Sequence, residues 1–245
     1  MGRKYADPPI VEAVCEFRLP VDSDWDLAIP GLVYEEIRDR FPRREQRTIQ
    51  EVEIVGQKDG FRQEMRANER AVFLTEDKTK FIQVGRHLLA MNCLKPYPTW
   101  RQFEPVIRQG FEALRDVVKV TGLQRIGLRY INRVEIPHPL VDLEQYFSFR
   151  PYIGPELPED FGNFLVGCIF VFAEGRDACR AQLRDAVPED PDSSAFILDL
   201  DYYLARPQAV PTNEALSWVE DAHSHVEQVF EGCITDRLRQ TFGEA

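Results

Sequence analysis

The chain has 245 residues, 44% of them hydrophobic, which is enough to build a core without disulfide or metal staples. With 41 acidic residues against 30 basic ones the net charge is −11, which opposes broad nonspecific binding to nucleic acid or to an anionic membrane. The five cysteines, Cys15, Cys93, Cys168, Cys179 and Cys233, are scattered and never spaced Cys-x-x-Cys, so they suggest neither a disulfide framework nor a zinc site and fit a reducing cytoplasm. The opening Met-Gly-Arg-Lys-Tyr-Ala-Asp-Pro-Pro9 lacks the apolar core of a signal peptide. No stretch approaches the ~18 uncharged apolar residues of a spanning helix, and no membrane contact is expected.

Residues 9–18 read as a strand with Val11, Ala13, Cys15 and Phe17 on one face and Glu12 and Glu16 on the other. A short helix follows: Pro30 suits its first turn, Val33, Ile37 and Phe41 form its apolar stripe, and Pro42 stops it. Strands at 47–55 and 61–66 flank the turn signal Lys58-Asp-Gly60, and further strands at 71–75, 80–84 and 87–93 complete an antiparallel meander. Thr99-Trp-Arg-Gln102 has capping-box spacing, and Phe103, Ile107, Phe111, Leu114 and Val118 continue at helical intervals. Pro105 lies deep for a straight helix starting at Thr99, so the helix either begins later or bends there.

The next strand, 125–134, places Ile126, Leu128 and Tyr130 on one face and Arg125, Arg129 and Arg133 on the other, with Gly127 between. A short helical stretch near 143–147 and a loop with Pro151, Pro155 and Pro158 follow. That loop is the candidate boundary between an N-terminal α+β half, 1–150, and a C-terminal half, 151–245, built either as two units or as one continuous domain. The second half reads as strands at 163–173, 178–186 and 195–204 and a long helix over about 213–242. The predicted class is α+β, mostly antiparallel sheet with packed helices and two β-rich halves, each closed by a β-β-β-α block.

The arginine row and the two glutamates suggest that strands 9–18 and 125–134 are neighbours. Planar guanidinium groups suit a phosphate or carboxylate ligand, with Gly127 letting it approach the backbone; the plainer reading has Glu12 and Glu16 neutralising the row. Asn132 reads as a satisfied core amide. Asp199-Leu-Asp201 puts two carboxylates on one strand face, where they hold a divalent cation, face solvent or pair with arginines, and no third ligand is placed by the sequence. His223 and His225 lie about 200° apart on a helix and do not share a metal readily. Residues 38–47 carry five arginines beside two acids, either a nucleic-acid contact or a solvated helix end. No phosphate-cradling glycine loop, nucleophile elbow or spaced cysteine and histidine set is present, so neither an enzyme nor a cofactor is expected.

The C-terminal helix carries Leu216, Val219, His223, Val226, Phe230, Cys233 and Arg237 at alternating steps of three and four. Such a seam packs on its own sheet or on a partner, with Val226 and Phe230 as the expected anchors and His223 adding pH sensitivity if buried there.

Three segments together, Pro8-Pro9-Ile-Val-Glu-Ala-Val, Arg125-Ile-Gly-Leu-Arg-Tyr-Ile-Asn-Arg133 and the ending His225-Val-Glu-Gln-Val-Phe-Glu-Gly-Cys-Ile-Thr-Asp-Arg-Leu-Arg-Gln-Thr-Phe-Gly243, resemble an uncharacterised, sporadically distributed bacterial family of about this length. The resemblance brings no activity, cofactor or site residue. Its patchy distribution implies an accessory gene of the defence or toxin-antitoxin kind. The expected function is a non-catalytic protein-binding or adaptor role, with a protein partner or a second copy. The alternatives are a nucleotide- or RNA-binding module using the arginine strand and a metal-dependent hydrolase at Asp199 and Asp201.

Overall fold

A computed structural model describes residues 3–57, 60–158 and 162–243, and of 49–57 and 60–67 the backbone alone. Among the described residues the strands are β1 Ile10–Arg18, β2 Arg43–Gln57, β3 Gly60–Leu74, β4 Lys80–Gly85, β5 Leu88–Leu94, β6 Arg125–Ile136, β7 Leu165–Phe172, β8 Asp177–Ala186 and β9 Ser194–Leu204. The helices are α1 Ile29–Ile37, α2 Trp100–Val117, α3 Ala215–Cys233 and α4 Asp236–Thr241. All nine strands join one antiparallel sheet in the order β2-β3-β4-β5-β1-β6-β9-β8-β7. The class is α+β. Residues 58 and 59 of the expected Lys58-Asp-Gly60 turn lie outside the described residues, while the strands on either side pair from Arg43↔Leu74 to Gln57↔Gly60.

Two sequential strand sets build this sheet. In each set the last strand returns to pair with the first, β5 with β1 and β9 with β6, and a helix follows, α2 or α3. β1 and β6 then pair with each other at the centre. The sheet therefore runs without interruption through both spans, 1–150 and 151–245, because β6 in the first pairs with β9 in the second.

Alternation along the central strands sends their apolar residues to one face, where the helices lie. Ala13, Cys15 and Phe17 of β1, Ile126, Leu128 and Tyr130 of β6, and Leu198, Leu200 and Tyr202 of β9 are all buried there. They meet Phe103, Ile107, Phe111 and Leu114 of α2 and Trp218, Val219, Ala222 and Val226 of α3 in one core. Phe17 stacks on Phe111 at 4.3 Å. α2 begins at Trp100 and keeps Pro105 inside it, so the later start weighed from sequence does not occur. Proline removes one N–H there, a loss confined to the helix's first two turns.

The long helix expected over 213–242 is two helices. Ile234 turns extended, forms a bridge with Phe147, and lets Ser148 and Phe149 donate to the Cys233 carbonyl. Thr235 then caps α4, its hydroxyl accepting from the Leu238 N–H. α3 alone spans about 28 Å. That length fits over the sheet, which removes the overhang that thirty helical residues would create.

Candidate functional site

The face away from the helices carries the charged residues singled out in the sequence. The β1–β6 register sets Val14 opposite Arg129 and Glu16 opposite Gly127, and the β6–β9 register sets Arg129 opposite Asp201 and Ile131 opposite Asp199. Glu12, Glu16, Arg125, Arg129, Asp199 and Asp201 thus share one surface. Contacts run diagonally across it. Both Asp201 oxygens accept from Arg125 Nη2, at 2.8 and 2.9 Å, and Arg129 grips Asp199 with two bonds of 2.7 and 2.5 Å. Arg180 adds a third bond to Asp201 at 3.0 Å. The Asp199 hydrogen bonds raise the Arg129 pKa, outweighing the opposing effect of burial.

Glu16 stands 3.3 Å from Arg125 and accepts from Arg18 at 2.6 Å. Glu12 instead accepts from the Asn92 amide at 2.7 Å. The ladder of glutamates and arginines thus has one rung, at Glu16, and the aspartates of β9 supply a bidentate contact to Arg129 and a bifurcated one to Arg125. Arg133 pairs with Glu135 at 2.5 Å and donates to the Val187 carbonyl at 2.7 Å. The space over Gly127 is filled from within the chain: a Cβ there would come within 3.1 Å of Arg125 Nη2. Glycine is what allows that guanidinium to fold across toward Asp201, in the space first read as an approach for a ligand.

Asp199 and Asp201 are occupied by arginines, and among the described residues no group of three or more His, Cys, Asp or Glu side chains stands placed for a metal ion. His223 stacks on Trp100 and His225 on Tyr202, in separate aromatic contacts. The arginines of 38–47 are each engaged: Arg38 with Glu35, Arg40 with Gln109, Arg43 with Glu76, Arg47 with Glu45, and Arg44 over the Tyr34 ring. Asn132 donates to the Leu198 carbonyl at 3.1 Å inside the core.

Two features of this face escape sequence reading. One is a relay across four strands, in which Arg70 Nη1 donates to Gln83 Oε1 at 3.5 Å, Gln83 Nε2 to Asn92 Oδ1 at 2.8 Å, and Asn92 to Glu12. It floors a groove of about 1810 Å³ whose wall includes Trp25. Its signal in the sequence is an uncharged polar residue inside an otherwise apolar run, Gln83 in β4 and Asn92 in β5. The other is β7, an edge strand of eight uncharged residues, Leu-Val-Gly-Cys-Ile-Phe-Val-Phe, that among the described residues pairs only with β8. Leu165, Ile169 and Val171 on the open face are 63%, 60% and 69% exposed, and Phe170 on the other face is 38% exposed. The signal was the unbroken apolar run; its exposure was not visible.

The residues expected to anchor a partner on the C-terminal helix face this chain's own core. Val226 is 2% exposed, and Phe230 is half-buried with its ring near those of Tyr5 and Phe242. His223 Nδ1 is 3.2 Å from the Tyr130 hydroxyl and its Nε2 3.3 Å from Glu227. Burial pushes His223 from its ordinary 6.5 down to about 4, so the folded chain holds it neutral while the unfolded chain protonates it. Stability is therefore expected to fall as pH drops from about 6.5 toward 4, by about 3 kcal/mol if the whole shift is expressed, and to level off below that. Glu227, whose pKa burial raises, opposes this by taking up a proton more readily when folded. His223→Gln should flatten the decline. Urea unfolding at stepped pH is the check, and an unchanged slope in the variant would remove the histidine from the account.

No family model matches the chain, and no curated protein matches it.

Proposed function

We propose that the chain is a protein-binding adaptor and that its binding edge is β7. The supporting observation is that eight uncharged residues at the end of the sheet combine an open backbone edge with apolar side chains exposed on both faces. Exposed edge strands are normally blunted by a lysine, a proline or a bulge, because an open row of N–H and C=O groups recruits another strand. β7 has none of these, and its pairing with β8 is regular from end to end. Strand addition supplies affinity through main-chain hydrogen bonds and specificity through alternate side chains. The arginine row, the anion site of the nucleotide or RNA alternative, has its guanidinium groups already placed against Asp199, Asp201 and Glu135, which favours the protein-binding reading.

The test compares extracts of the producing cells. Wild type is expected in a complex heavier than the 28.4 kDa chain, and the double variant Ile169→Lys, Val171→Lys at the chain's own mass. Both side chains are largely exposed, so the variant should unfold within about 0.5 kcal/mol of wild type. Wild type running at 28.4 kDa in a fresh extract would overturn the reading.

A further inference from the structure

We infer that the partner at the β7 edge is a second copy of this chain, the two β7 strands pairing antiparallel about a two-fold axis; this rests on β7 being the binding edge. A strand added to β7 must satisfy apolar side chains on both of its faces. The β7–β8 register puts Leu165, Ile169 and Val171 on the open face, and Val166, Cys168, Phe170 and Phe172 on the helix face. Charged residues opposite the open row, as Arg184 and Arg180 of β8 already are, stay in water and bury little of the row, so the strand that covers both rows best is itself apolar on both faces. β7 itself meets the requirement, since it is apolar on both faces and carries neither charge nor proline.

The other sheet edge argues for closure rather than a filament. β2 carries Arg43, Arg44, Glu45, Arg47, Glu51 and Glu53 along its 15 residues, so any full-length register of β7 against the β2 of another copy would set charged residues against leucine, isoleucine and valine. Like-with-like pairing avoids that mismatch and leaves no free apolar edge, whereas a head-to-tail contact propagates unless its rotation closes a ring. The flanks have the composition of an interface rim. Arg184 and Arg180, opposite Leu165 and Ile169 on β8, are exposed, so charge stands one strand back from the apolar strip.

The size of the contact sets its strength. Eight paired residues run about 27 Å, and one strand edge buries less than the ~800 Å² per partner of a standard interface. The dimer is thus expected to exchange with monomer in the micromolar range.

Sedimentation of the purified full chain tests this. At about 50 µM wild type should approach twice 28.4 kDa and revert to the chain mass on dilution, with β7 amides exchanging more slowly as concentration rises. Ile169→Lys should weaken association at least about 100-fold while unfolding at the wild-type denaturant concentration. Should that variant misfold, Val171→Lys takes its place. A purified wild type that stays monomeric, a dimer that survives both substitutions, or a broad distribution of larger species would each overturn the inference. A monomer when pure that still enters a β7-dependent complex in extract overturns only the second copy as partner. A monomer in both settings overturns the binding edge as well.

Discussion

Replacing Asp177 with alanine is expected to destabilise the fold by about 3–5 kcal/mol, the largest effect of any single polar substitution considered for this chain. Asp177 is 1% exposed at the start of β8 and accepts from Trp218 Nε1 at 2.9 Å, from Arg176 Nη2 at 2.7 Å and from the Tyr202 hydroxyl at 3.4 Å. Trp218 and Tyr202 are themselves 3% and 1% exposed, so the indole N–H and the phenol would be stranded away from water. Each stranded donor costs about 1–3 kcal/mol. Arg176 is 40% exposed on its side chain and can turn to solvent, so its lost bonds contribute little. The contact also ties α3 to the sheet, and amide exchange in α3 should quicken more than in α2. Asp177→Asn, which keeps one acceptor oxygen, should cost about half as much. A loss below about 1 kcal/mol for the alanine variant, measured by urea unfolding, would mean that water replaces the carboxylate there.

The second large effect is expected at Asp201, where alanine should cost about 2–4 kcal/mol. Its carboxylate is 7% exposed and holds both Arg125 and Arg180, so its removal leaves two guanidinium groups crowded over β9. Those arginines are 28% and 44% exposed and Arg125 keeps Glu16 at 3.3 Å, which holds the cost below that of a fully buried pair. A double-mutant cycle between Arg125→Ala and Asp201→Ala should give a coupling of about 1–2 kcal/mol. A cycle between Glu16 and Arg129 should give little, because Glu16 turns instead to Arg18 and Arg125. Coupling under about 0.3 kcal/mol for Arg125 and Asp201 would show the pair to be a surface contact with no energetic consequence.

Local pattern carried much of this structure. Alternation assigned Glu12 and Glu16 to one face of β1 and the arginines to one face of β6, and the opposed charges marked the two strands as neighbours, which they are. Stripes at three and four residues located α1 and α2, though α1 ends at Ile37, before Phe41 and Pro42, and the apolar seam of α3 was visible over its length. Each of these features depends on residues close in the chain, where the periods of strand and helix are set by backbone geometry alone.

Which element lies beside which was decided only in three dimensions. The aspartates of β9 take the arginines because β9 returns to the free edge of β6, a pairing across about 70 residues that no local pattern announces. The seam of α3 meets its own core, and the helix stops at Cys233, because Ile234 is drawn into a bridge with Phe147. β7 shows the difference most plainly. An unbroken apolar run of strand length is the pattern of a buried strand, and composition alone cannot separate a central strand from an edge. Alternation determines which face a side chain takes, since that is a property of the single strand. Strand order determines whether a neighbour covers it, and that follows from long-range pairing.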